Sequence, residues 1–224
     1  MMNKKMNTRS MEQQVVTNFS GSNLVNSDLG GVKAHKGQFN HSALHSSDFS
    51  GADLTGSSFK SSDVRNANFD GANLTDCSFL ALDLSKASFN KSILVRTNFN
   101  SSQLDGATFT GVRLKDVTLT TTDLKTTKFK DCLFDGVDFK YADLSGQRFD
   151  GQTFIGVKFD RAALSNTSFK GATLSNVSFH PGFTLTKKYY RLIKTICFDG
   201  ATMDKLTYAA LKGMEANLSK VTVN

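Results

Sequence analysis

The sequence predicts an all-β solenoid: a parallel β-helix of about eight stacked coils with a short α-helical cap at its C-terminal end. Three observations carry that expectation. Every fifth residue from Phe19 to Phe179 is Phe or Leu, thirty-three positions without an insertion, and only Ala34 and Val64 depart. This period fits neither an amphipathic helix, at about 3.6, nor a flat strand, at about 2. Phe and Leu then alternate every ten residues over much of the row, so like stacks on like only if each coil holds an even number of units. Finally, Gly31, Gly51, Gly71, Gly111, Gly151 and Gly171 lie multiples of twenty apart, at the positions where each unit must turn a corner.

Within each unit the roles follow from side-chain direction. Two residues before the large apolar position stands a small one, as at Ala52, Ala67, Cys77, Ala87, Ser92 and Ala142, and the residue between is often Asp or Asn. Alternation over three residues turns the small and large side chains inward and the middle one outward. The two remaining residues turn a corner, where Gly supplies conformations other residues reach at a cost. With twenty residues to a coil, Phe39, Phe59, Phe79 and Phe99 form one ladder, and Phe49, Phe69, Phe89 and Phe109 the opposite one. Leu fills the remaining two sides. At strand spacing, eight coils make a rod roughly 39 Å long.

Units such as Ala52-Asp53-Leu54-Thr55-Gly56, Ala67-Asn68-Phe69-Asp70-Gly71, Ala72-Asn73-Leu74-Thr75-Asp76 and Ala142-Asp143-Leu144-Ser145-Gly146 resemble the A(D/N)LXX motif of the pentapeptide repeat family. The resemblance covers about three quarters of the chain. It implies a right-handed quadrilateral β-helix with four pentapeptides to a coil. It also implies two kinds of role. Some members protect DNA gyrase and topoisomerase IV from quinolones, as rods that mimic the width and charge of duplex DNA. Others are secreted effectors that present the rod surface to a host protein.

The remainder divides into two ends. Residues 1–16 are polar with no apolar run, which predicts a disordered segment. They lack the apolar core of a Sec signal peptide, and their Ser/Asn/Gln content resembles the N-termini of type III secreted effectors. After Phe179 the register breaks at His180-Pro181-Gly182, so residues 17–180 form the repeat and 181–224 the cap. In the cap, 184–196 and 204–212 read as helices, with Asp204 as N-cap of the second, and repeat-like phasing returns at 196–203 and 214–223.

No enzyme is expected. The four histidines, His35, His41, His45 and His180, lack metal-ligand spacing. There is no nucleophile triad, no phosphate-cradling loop, no cofactor signature and no stretch long enough to span a membrane. Cys77 and Cys132 occupy inward sites about three coils apart, too far for a disulfide, and act as small apolar filler.

Charge separates the functional readings. Of a net +7, residues 17–180 hold 17 Lys/Arg against 16 Asp, so the rod is nearly neutral and the ends are basic. The nearest thing to a DNA-like surface is a stripe of Asp63, Asp83, Asp123 and Asp143 with Gln103 in its middle. At one carboxylate per ~5 Å it is sparse against one charge per ~1.7 Å of duplex. Direct nucleic-acid binding would need a basic, aromatic-laced stripe along the rod, which is missing. The expected function is therefore non-enzymatic protein binding by a bacterial chain that is cytoplasmic or secreted into a host. The expected surface is the side carrying Ile93, Val95, Leu133 and Ile155, with Arg113 and Lys115 between them. It is expected to continue through Lys187, Lys188, Arg191 and Lys194 in the first C-terminal helix, or to be covered by that helix. Self-association through the C-terminal segment is a further expectation, and gyrase protection is the alternative.

Overall fold

A computed structural model describes residues 17–181 and 187–224. The N-terminal segment 1–16, with its expected disorder and its likeness to secretion signals, lies outside the described residues. So do residues 182–186 and the side chains of Lys187 and Lys188.

From Thr17 onward the chain winds into coils that stack by parallel pairing. Bridges join residues twenty apart, such as Asn18 with Gln38, Gln38 with Ser58 and Asp63 with Asp83. The middle polar residue of each unit makes the bridge, so its side chain faces solvent while both neighbours turn inward. Phe39 N donates to Ser58 O at 2.8 Å, and Ser58 N to Gly37 O at 3.0 Å, which ties each coil to the next in both directions. We number the sides from one coil: first at Phe39, second at Leu44, third at Phe49, fourth at Leu54.

The corners explain the five-residue unit. Every fifth residue from Gly21 to Asn176, Thr126 excepted, has a left-handed φ between 52° and 76°. Bonds such as Ala52 N to Phe49 O, at 3.0 Å, close the corner over four residues. A positive φ at the third residue of such a turn marks type II. Glycine holds the corner between the third and fourth sides except at Lys91 and Asp131, and at the other corners Ser, Asn, Lys and Arg adopt the same conformation. Thr121, β-branched at φ 57°, is the costliest of these. Thr121→Gly is expected to raise stability by about 0.5–1 kcal/mol in denaturant melts.

The interior is a close-packed aromatic stack. Phe39 lies on Phe59 at 4.9 Å and 5°, Phe49 on Phe69 at 5.1 Å and 6°, and the two ladders meet edge to face, Phe39 to Phe49 at 5.6 Å and 90°. Small inward residues that carry a polar group donate to the coil beneath: Ser57 Oγ to Ala34 O at 2.7 Å, Thr97 Oγ1 to Leu74 O at 2.9 Å, Cys77 Sγ to Leu54 O at 2.9 Å. Hydroxyl and Ala are therefore interchangeable there, because the buried group is always satisfied.

One stretch departs from this plan. Two coils hold three Phe each, at 129, 134 and 139 and at 149, 154 and 159. Phe134 and Phe154 stack well, at 4.7 Å and 4°, but Phe129 and Phe149 loosen to 5.8 Å and 40°. Beside the loosened pair, Gln147 and Gln152 occupy small inward sites. Gln147 Nε2 donates to Leu124 O and, at 2.8 Å, to Thr127 O; Gln152 Oε1 accepts from Cys132 N at 3.2 Å. Both are almost fully buried, with their amides satisfied by the backbone.

At the C-terminal end the sides are treated differently. Helix α1, Lys187–Ile193, takes the place of the unit that would continue the second side, and Ile193 is fully buried beneath it. The chain then rejoins the third side at Cys197, bridged to Ser168, where Phe198 stacks on Phe169 at 5.5 Å. It passes to the fourth side at Thr202–Met203, and helix α2, Lys205–Gly213, closes the first side with Leu211 buried. The fourth side runs on as a seven-stranded parallel sheet from Ile93–Val95 to Thr222–Val223.

Asp204 caps α2, accepting from the amides of Leu206 at 2.8 Å and Thr207 at 3.0 Å, and from Asn176 N at 2.6 Å. Partial burial raises its pKa, but the Thr207 hydroxyl and these amides outweigh that and hold it at about 2. The folded value lies below the ordinary 3.8, so the cap's stabilisation is complete above about pH 4 and fades as pH falls toward 2. Asp204→Ala is expected to cost ~1 kcal/mol and to remove that acid sensitivity, read by hydrogen exchange of the α2 amides.

Candidate interaction surface

On the fourth side two outward rows run along the rod. One reads Ile93, Arg113, Leu133, Thr153, Thr173, Thr202, Thr222; the other reads Val95, Lys115, Asp135, Ile155, Ser175. Ile93 is 51% and Ile155 43% exposed, and both are among the few large apolar side chains so open. Val95 and Leu133 are half-buried. Arg113 reaches Asp135 at 2.6 Å, while Lys115 is exposed with no carboxylate partner among the described residues. The four aliphatic residues are therefore brought to one face, staggered around a charged centre.

Two expectations about this face are corrected. Among the described residues no helix covers it, since α1 and α2 lie over the ends of the second and first sides. For the same reason Lys187, Lys188, Arg191 and Lys194 do not continue it. They belong to the segment closing the second side, across the rod from the fourth. Lys194 is also held by Glu215 at 2.6 Å. What extends the face instead is the aligned Thr row. The physical cause is the insertion: Ser168 pairs with Cys197, twenty-nine residues on, so the helix occupies a side of its own.

The acidic stripe lies on the second side, stacked as the spacing requires through Asp63, Asp83, Gln103, Asp123 and Asp143. Half of its charge is offset in place. Arg65 sits at 2.6 Å from Asp63 and 3.9 Å from Asp83. Lys125 sits at 3.0 Å from Asp123 and 3.4 Å from Asp143. Hydrogen bonding from Arg65 accordingly holds the Asp63 carboxyl below its usual range. Lys140 plays no part in this, pairing instead with Asp138 on the first side.

Three features were not singled out from the sequence. The buried glutamines could have been noticed as oversized residues at small sites. An apolar cleft of about 690 Å³ lies between α2 and the last strand of the first side, with Val177, Phe179 and Met214 in its walls. Beside it Leu206 is 76% exposed. Among the described residues no group of three His, Cys, Asp or Glu could hold a metal ion, and no helix is long and apolar enough to cross a membrane. Burial pushes the Cys77 thiol up to about 12 and Cys132 to about 11, which makes both poor nucleophiles.

The repeat region itself decides the kinship: the family described as pentapeptide repeat region matches residues 32–109 and again 107–179. The chain belongs to the pentapeptide repeat family. No curated protein matches it in sequence. Among solved structures this pentapeptide repeat protein is similar to a trypsin-treated form of QnrB1, a plasmid-mediated fluoroquinolone resistance protein. The two are 20% identical over 88% of this chain and 96% of that one, with a TM-score of 0.46. It is also similar to HetL, involved in heterocyst differentiation regulation in the cyanobacterium Nostoc sp. strain PCC 7120, at 20% identity, 83% and 82% coverage and a TM-score of 0.33. A third is Rfr23 from the cyanobacterium Cyanothece 51142, at 14% identity, 92% and 91% coverage and a TM-score of 0.16.

Proposed function

We propose that this pentapeptide repeat protein is a non-enzymatic rod that binds another protein through its fourth side. The observation that carries the reading is the exposed aliphatic set Ile93, Val95, Leu133 and Ile155 around Arg113 and Lys115 on an uncovered parallel sheet. An apolar patch with a charged centre, on an otherwise polar rod, is what a protein interface needs. The polar N-terminal segment and the neutral rod favour a secreted bacterial effector as the setting. A homodimer through the C-terminal segment draws support from Leu206 beside the apolar cleft.

The test is a double change, Ile93→Asp with Leu133→Asp. Both side chains point outward, so the circular dichroism spectrum should stay that of the parent. Capture of the partner from eukaryotic or bacterial lysate should be lost. Binding that survives with the fold intact would remove the face from consideration.

Protection of DNA gyrase by mimicry has less support, because Arg65 and Lys125 leave the stripe with half its formal charge. Little or no rescue of supercoiling from a quinolone is expected in a gyrase assay. Full rescue at submicromolar protein would reverse the order of the two readings.

A further inference from the structure

The third side is charged in two opposite halves. Its N-terminal coils present Asp28, Asp48 and Asp70 and no cation. Its C-terminal coils present Lys128, Lys130, Arg148 and Lys170, all exposed, with Asp150 held by Arg148 at 2.6 Å and, at the last coils, Asp199 held by Lys220 at 2.8 Å. The three lysines have no carboxylate partner among the described residues. Between the halves the outward side chains are uncharged: Ser88, Asn90, Thr108 and Thr110. A neutral rod can hide such a face from any measure of net charge.

We propose that this side is a docking surface for a second copy of the chain, laid antiparallel, face to face. The parts of the face select that arrangement. Place a twofold axis across the rod, between the levels of Phe89 and Phe109. Each coil below the axis then meets the coil equally far above it in the other copy. Asp48 comes opposite Arg148, Asp70 opposite Lys130, and Asn68 opposite Lys128. Lys170 falls over Gly30, beside Asp28. A parallel arrangement fails, because it sets Lys128 against Lys130 and leaves Asp48 facing Ser50 and Asp70 facing Asn68. Opposed like charges are what an interface avoids.

The bordering corner fits the same axis. Only Lys91 and Asp131 project there among glycines. In the antiparallel pair Lys91 meets Gly111 and Asp131 meets Gly71, so each projecting side chain faces an open position. Lys91 and Asp131 of opposite copies are then one coil apart, within reach of an ion pair.

The size of the face sets the strength. Eight coils by one three-residue strand give a plan of roughly 39 Å by 10 Å, at the low end of interface dimensions. The dimer is therefore transient, and since its contacts are exposed charges it weakens with salt. This surface is separate from the aliphatic face of the fourth side, which stays open in the pair.

Sedimentation of the full chain tests it at about 50 mM and about 500 mM salt, where the screening length falls severalfold. A mass rising from 24.4 kDa toward twice that value with concentration is expected at the lower salt only. Lys128→Glu with Lys130→Glu should weaken association at least about tenfold while leaving the melting curve of the fold intact. Thr110→Cys, near the axis, should give a cross-linked dimer with a short bis-maleimide, above the level of the parent chain. A monomer at low salt and high concentration would overturn the proposal. So would a dimer indifferent to salt and to the two lysine changes, which would instead place self-association at the C-terminal cleft.

Discussion

Phe89→Ala lowers the stability of the rod by about 3–5 kcal/mol. Phe89 is wholly buried in the middle of the third-side ladder. It lies between Phe69 at 5.2 Å and Phe109 at 4.8 Å and meets the edges of Phe79 and Phe99 at 6.0 and 5.4 Å. Removing the ring leaves a void that its neighbours cannot close, because each is fixed by its own stack above and below. Repeats couple only to their neighbours, so the coils on either side should open first. Hydrogen exchange should show protection lost around residues 69–109 before the ends. A loss under about 1 kcal/mol would mean the aromatic ladder is not what holds the coils.

Gly37→Val is the second large effect, about 3 kcal/mol of destabilisation. This glycine is not a corner residue. It occupies the small inward site before Phe39, next to Ala34, one of the two departures from the Phe/Leu row. A Cβ there would stand 2.8 Å from Phe39 Cε2 and 2.9 Å from Ala34 O. The Phe39 ring has moved into the room that Ala34 and Gly37 vacate, and its stack on Phe59 keeps it there. The site is therefore full although both its residues are small. Gly31→Val is the control: it faces open space, so only its left-handed φ of 65° is strained. If both variants melt alike, backbone strain rather than core volume governs the first coils.

Much of this was legible beforehand, for a reason peculiar to repeats. An uninterrupted period converts a three-dimensional neighbour into a number, so that "twenty residues on" means "directly above". The ladders, the inward and outward rows, the outward aliphatic set and the position of the acidic stripe all follow from that arithmetic. Asp76 shows where it stops. At a corner and exposed, it reads as a residue of no consequence. Yet it is held at φ 58° and paired with Arg96 at 2.7 Å. Its replacement by Ala should therefore lower the melting temperature measurably, through loss of the pair and the poorer fit of Ala to a left-handed corner.

The sequence by itself determined the coil, its four sides and which residues fill the interior, because burying a large apolar side chain every fifth residue admits one way of winding the chain. Tertiary structure alone decided the choices that the period leaves equal. Arg65 and Lys125 could each have reached into solvent, and the stripe keeps only half its formal charge because they fold back on its carboxylates. Gln147 and Gln152 are tolerated inside because their amides find backbone partners there, Gln147 Nε2 donating to Thr127 O at 2.8 Å and Gln152 Oε1 accepting from Cys132 N at 3.2 Å. Helix α1 closes the second side because a nine-residue excess over the twenty-residue coil must be accommodated between Ser168 and Cys197, whereas α2 closes the first side within a coil of ordinary length, Thr202 pairing with Thr222 twenty residues on.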